Sequence, residues 1–216
     1  MAALCAVAFG AAPAAASHPW GFPYEAGDGV RFEGAVADAG GRALGGIEIA
    51  LEASTPRLDW RRLTSAPRVE RRVATSDERG AFAIDWTWDA AFRRFELVAT
   101  LSEELAGRTL RHELARLDVT DRVKSGSPVS ASLVVADGRF VERARAFLAG
   151  IASEDERRIW SELGLPESID RIESPTAVEA AWWYYAAGRV ARFRDGRLVE
   201  LQSFDPIRPL GGDSAP

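Results

Sequence analysis

The residues best equipped for chemistry in this chain are aromatic and guanidinium side chains gathered toward its C-terminus. Trp182, Trp183, Tyr184 and Tyr185 are consecutive, and Arg189, Arg192, Arg194 and Arg197 follow within a dozen positions. An extended backbone turns successive side chains to opposite faces. The quartet therefore splits into two pairs, one able to pack on a core while the other faces outward. An outward Trp–Tyr pair suits a protein interface or stacking against a sugar ring. The competing reading buries both pairs, since Trp and Tyr are heavily buried on average. The arginines could form an anion-binding strip, although a solvated hairpin face is their ordinary explanation. The candidate interaction surface comprises Trp182, Trp183, Tyr184, Tyr185, Arg192 and Arg194.

Catalytic constellations are harder to find. Nothing matches H-E-x-x-H, G-x-S-x-G, a Walker loop or paired C-x-x-C. His112 and Glu113 are adjacent, so a strand sends them to opposite faces and they cannot share a metal. Leu110 and Leu114 share the face of His112, which reads as a half-buried structural residue. Asp85, between apolar positions, reads as solvated. Glu103 and Glu104 diverge on a strand and are not an acid–base pair. No catalytic residue, cofactor or resident metal is expected. A third reading concerns His18: as a mature N-terminus it could chelate copper through its amine and ring nitrogen. That chemistry wants a second histidine, and the sequence holds only His112 besides.

The totals narrow the classes. With 216 residues the chain holds one or two domains and can bury a sizeable core. A net charge of -5 argues against nucleic-acid binding, which normally shows a basic face. Lys124 is the only lysine, a bias that GC-rich coding explains as well as any guanidinium chemistry. Cys5 is the only cysteine, so no intramolecular disulfide forms.

The elements that must position the candidates follow in chain order. Residues 1–17 are apolar and uncharged, ending in small residues, which predicts a secretory signal peptide and export to the periplasm or beyond. The stretch is too short to remain as a membrane anchor, so no transmembrane segment is expected after cleavage. Residues 18–29 read as an extended leader. From Val30 to Val36, Ile47 to Leu51, Val69 to Thr75, Ala81 to Trp88, Phe95 to Leu101, Leu110 to Leu114 and Val129 to Val135, apolar side chains alternate with polar ones. Phe82, Ile84, Trp86 and Trp88 make the clearest such face. The reading is mainly β with an α+β module: seven short strands form an N-terminal antiparallel β-sandwich over residues 30–136, with Greek-key connections. The segment from Ala53 to Pro67 reads as a loop holding Trp60. Over residues 137–204 the period changes to two helices and a three-stranded meander. The second helix has a capping box at Ser153 and Glu156, with Gly164 as its stop. Asp195-Gly196 is a hairpin turn. Residues 205–216 form a Pro- and Gly-rich tail.

Two stretches carry resemblances. The run Gly34, Val36, Asp38, Gly41, Leu44, Gly46, Ile49, followed by Thr75, Gly80, Phe82 and Ile84, resembles the carboxypeptidase regulatory-like family. That resemblance implies a transthyretin-like, generally non-catalytic module of exported proteins. The related hydroxyisourate hydrolases have a His-rich site and a C-terminal tetrapeptide that this sequence lacks. From about Ala149 to Leu201, Leu163-Gly164-x-Pro166, Trp182 to Tyr185, and Phe193, Gly196 and Leu198 resemble the outer-membrane assembly lipoproteins of the BamE/SmpA type. No lipidated cysteine follows the predicted signal peptide, so anchoring does not carry over. The first expectation is an envelope adaptor that binds another envelope or outer-membrane protein through the aromatic meander. The alternative is a carbohydrate or cell-wall binding module using exposed aromatics.

Overall fold

The computed structural model describes residues 21–56 and 68–207. The predicted signal peptide, Cys5, His18, Trp60 and nearly all of the tail lie outside them. Among the described residues, mainly β structure is arranged in three sheets with three helices.

Strands β1 (Gly29–Asp38), β4 (Ala81–Thr87) and β7 (Val129–Val135) form a three-stranded sheet in the order β4-β1-β7. Strands β2 (Glu48–Ser54), β3 (Val69–Thr75), β5 (Arg94–Leu105) and β6 (Arg108–Asp118) form a second, ordered β3-β2-β5-β6. The predicted alternation sends Val30, Phe32 and Val36 of β1, and Phe82, Ile84 and Trp86 of β4, into one core. Ile49 and Leu51 of β2 and Phe95, Leu97, Ala99 and Leu101 of β5 meet them from the other sheet, so both sheets share a single apolar interior. Gly34 sits where β1 lies tightly against β7 within its own sheet: a Cβ there would lie 1.8 Å from the carbonyl oxygen of Ala131, its register partner.

Several expectations need correction. The three-stranded sheet is mixed, because β7 runs parallel to β1 from Phe32↔Val129 to Asp38↔Val135. A strand returning after some ninety intervening residues has no tight turn to dictate an antiparallel entry. The residues ahead of β1 do not stand apart as a leader. Phe22 and Tyr24 are buried in the core, and their rings meet Trp88 at 4.9 Å each. Strand β3 forms where predicted, but Val69 and Val73 are exposed because they pair with Ser54 and Ala50 on the solvent face of the sheet, while Ala74 packs against the core. A short helix α1 (Thr120–Lys124), unforeseen, bridges β6 and β7.

The solvent face of the second sheet is sealed by charge. Arg71 and Arg111 bond Glu48 at 2.8 and 2.7 Å, and Arg116 bonds Glu113, Glu52 and Glu96 at 2.9, 3.0 and 3.3 Å. Under this lattice Ala50 and Val98 are buried on the outer side of the sheet.

Helix α2 (Gly138–Gly150) is capped by the Asp137 side chain, which accepts from Phe140 N. Helix α3 (Glu154–Leu163) has the predicted capping box, and Gly164 closes it at φ 83°. Strands β8 (Ser168–Glu173), β9 (Val178–Tyr184), β10 (Arg189–Arg194) and β11 (Arg197–Ser203) then form an antiparallel sheet in the order β11-β10-β9-β8. The expected meander has three strands; β8 adds a fourth at the edge. The Asp195-Gly196 turn takes φ 51° and 75°, the positive pair that a tight hairpin demands.

Candidate functional site

The four-stranded C-terminal sheet separates the aromatic quartet as its alternation predicts. Trp182 and Tyr184 face the helices and are buried with Trp160, Ile159 and Phe193. The Tyr184 hydroxyl donates to the carbonyl of Gly164 at 3.1 Å, and burial pushes its phenol well above the usual range. These two residues are structural. Trp183 and Tyr185 face the other way and are half-buried.

The outward pair is ordered by specific contacts. Their rings lie 5.9 Å apart with planes only 16° from parallel. Phe204 leans on both, at 6.0 Å from Trp183 and 6.4 Å from Tyr185. The Trp183 Nε1–H donates to Asp170 Oδ2 on neighbouring β8 at 2.8 Å. A long side chain tied at its edge and stacked on one ring face is held in place before any ligand arrives, which lowers the entropic cost of binding.

Along this face of β9 the order is Glu179, Ala181, Trp183, Tyr185. Ala181 is flanked across the ladder by Asp170 on β8 and Arg192 on β10. A methyl between longer neighbours leaves a depression, and a cavity of about 350 Å³ opens there. Trp183, Asp170, Arg192, Arg194 and Glu179 line it, with Ile172 and Val199 at its two edges. The volume is at the low end of the roughly 300–1,000 Å³ usual for small-molecule sites. Arg192 makes a 3.5 Å ion pair with Glu200. The structure therefore brings Trp183, Arg192 and Arg194 together, and Tyr185 supports them from behind. Trp182 and Tyr184 do not take part. Asp170 and Ala181 are not among the residues the sequence singles out: β8 has no buried face to mark it, and an alanine announces itself only by what stands beside it.

No family model matches this chain. No curated protein matches it either. Among solved structures it is similar over part of its length to 3-chlorocatechol 1,2-dioxygenase from Rhodococcus opacus, at 16% identity and a TM-score of 0.29, covering 52% of this chain and 60% of that one. A Pseudomonas aeruginosa protein described as a candidate carbohydrate-binding protein matches at 16% identity and a TM-score of 0.27, covering 52% and 90%. A 9R-lipoxygenase from Cyanothece matches at 12% identity and a TM-score of 0.29, covering 58% of this chain and 18% of its own. At these TM-scores none of the three carries an argument about fold or role.

Among the described residues, no group of three or more His, Cys, Asp or Glu side chains is placed to hold a metal ion. His112 is exposed where a half-buried position was expected, and its ring packs 4.3 Å from that of Phe140 on α2. Bringing helix α2 against β6 supplies that contact without covering the imidazole. Glu113 pairs with Arg116, whose hydrogen bond holds the carboxyl below its usual value. Asp85 is exposed as expected and pairs with Arg31 at 3.3 Å. Glu103 is engaged by Arg145 at 2.8 Å. No helix among the described residues is long and apolar enough to cross a membrane.

Proposed function

We propose that this chain is a non-catalytic exported envelope protein that binds glycan through the outer face of its C-terminal sheet. The observation that carries the reading is Trp183: one ring face backed by Tyr185, its edge fixed by Asp170, and its flank open on a cavity lined by carboxylates and guanidiniums. Pyranose rings present an apolar face to stack and hydroxyls to bond, and such a wall with charged neighbours meets both needs. Export, a transthyretin-like sandwich of the carboxypeptidase regulatory-like kind and a BamE/SmpA-like second module belong to the same proposal. The shared core of the first two sheets and the capped α3 beside the aromatic strand support that assignment. The test is a panel of cell-wall and envelope glycans offered to the protein and to Trp183→Ala. Binding that the substitution abolishes, with far-UV circular dichroism unchanged, is expected; no binding to any glycan overturns the reading.

A protein-binding adaptor is the second reading, and one observation favours it. Among the described residues, the exposed large apolar side chains include Ile169, Ile172, Val199, Leu201 and Ile207 of the C-terminal part. Ile172 and Val199 border the cavity beside Trp183 and Arg192, and Trp and Arg are the residue types enriched at interface hot spots. In-cell crosslinking that recovers one envelope protein, lost on Trp183→Ala, would support this reading over the first.

A further inference from the structure

Resting on the glycan reading, we infer that the notch over Ala181 takes a single neutral pyranose, stacked on the Trp183 indole, and that the alanine methyl sets its depth. Position, charge and scale lead there. The first is position. Tyr185 stacks on Trp183 from one side, and the next side chain on the other side of the same face is Ala181. The uncovered indole face thus looks along the strand over a methyl group, into the cavity that both residues line. A ring lying on Ala181 would stand against the indole.

The second is charge. The cavity wall carries two carboxylates, Asp170 and Glu179, and two guanidiniums, Arg192 and Arg194. With Arg192 already paired to Glu200 at 3.5 Å, the carboxylates and guanidiniums leave no surplus cation to draw an anion. They do supply both acceptors and donors within one small space. A sugar hydroxyl is donor and acceptor at once, so a neutral polyol uses both sets, whereas an acidic sugar would set its carboxylate against Asp170 or Glu179.

The third is scale. Ala181 faces Asp170 on one side and Arg192 on the other, in direct register. Those two side chains flank a gap one residue wide. With about 350 Å³ available, the site accommodates one ring with its substituents and not a long groove-bound chain. Ile172 and Val199, both more than half exposed, form apolar shoulders at the two outer strands.

Ala181→Leu fills the notch while leaving Trp183, Tyr185 and Asp170 in place. The experiment follows the indole N–H resonance of Trp183 by heteronuclear NMR, titrating cellotetraose and chitotetraose as neutral probes and tetragalacturonate as the acidic one. The assignment of that resonance comes from Trp183→Phe. Saturable shifts with a neutral probe, weakened at least tenfold in Ala181→Leu with other resonances unmoved, are expected. Shifts with the acidic probe alone overturn the neutral-sugar inference and leave glycan binding standing. Neutral binding that Ala181→Leu leaves intact places the sugar elsewhere on the Trp183 face and overturns the notch. Silence with every saccharide, by NMR and on the broader panel, removes the inference and the glycan reading together.

Discussion

At the scale of single residues, two neighbouring tryptophans have opposite jobs. Trp182 is 4% exposed and packs against Phe147 and Phe193 at 4.8 and 4.6 Å. Trp182→Ala is expected to cost about 3–5 kcal/mol, as large core truncations do. Trp183→Ala loses one hydrogen bond and partial ring contacts, so about 1 kcal/mol is expected. Urea unfolding of both variants checks the contrast, and equal losses would contradict the assignment of faces. This split was legible in the sequence, because alternation in an extended strand needs no tertiary knowledge. Which pair faced the helices was not, since both pairs are aromatic and only the helix position decides it. Asp170 was illegible for a different reason. Five of the six residues of β8 are exposed, so the strand shows no buried face and no period of two.

At the scale of elements, the turn joining β1 to β2 shows how a motif becomes a restraint. Asp38 Oδ1 accepts from the backbone N–H groups of Gly40 and Arg42, at 2.9 Å each, and the Arg42 guanidinium bonds Oδ2. The N–H of Arg42 first, then that of Gly40 and the guanidinium, hold its carboxyl below the usual 3.8. In the unfolded chain the carboxyl returns to its ordinary value, so between the two values the unfolded state binds more protons. The turn's contribution is complete above the unfolded value and is lost as pH falls through the folded one. Asp38→Asn should therefore flatten the dependence of stability on pH below about 4 relative to the parent chain. Urea midpoints at several acid pH values measure it; identical slopes would remove Asp38 from the account. The Asp-x-x-Gly pattern of this turn was visible in the sequence, as were the capping box and the Asp195-Gly196 hairpin. All are local. The parallel pairing of β1 with β7 was not visible, because it joins distant residues and no local pattern encodes it.

At the scale of the molecule, the two apolar clusters are not separate. The β5–β6 hairpin extends past its sheet so that Leu105 and Leu110 pack into the cluster beneath the C-terminal sheet. Trp160 Nε1–H donates to the carbonyl of Leu105 at 2.9 Å, and Arg108 donates to the carbonyl of Ser161 at 2.8 Å while lying 5.7 Å over the Trp160 ring. Arg145 of α2 clasps Gly45 and Gly46 from the other side, at 2.9 and 3.0 Å. Coupling through buried side chains makes one cooperative transition the expectation, with near-UV and far-UV signals coinciding on heating. Two resolved transitions would contradict it. Trp160→Ala is expected to move both signals together. The same hairpin limits how this architecture can be rearranged by recombination. A gene fusion cut near residue 137 would carry the C-terminal sheet and its helices away but leave Leu105, Arg108 and Leu110 behind. The transplanted piece would then hold a tryptophan with no acceptor for its N–H and a helix end whose last carbonyls have lost their cation. To be portable, the C-terminal part must travel with the hairpin that precedes it, so its unit of inheritance is longer than its unit of sequence pattern.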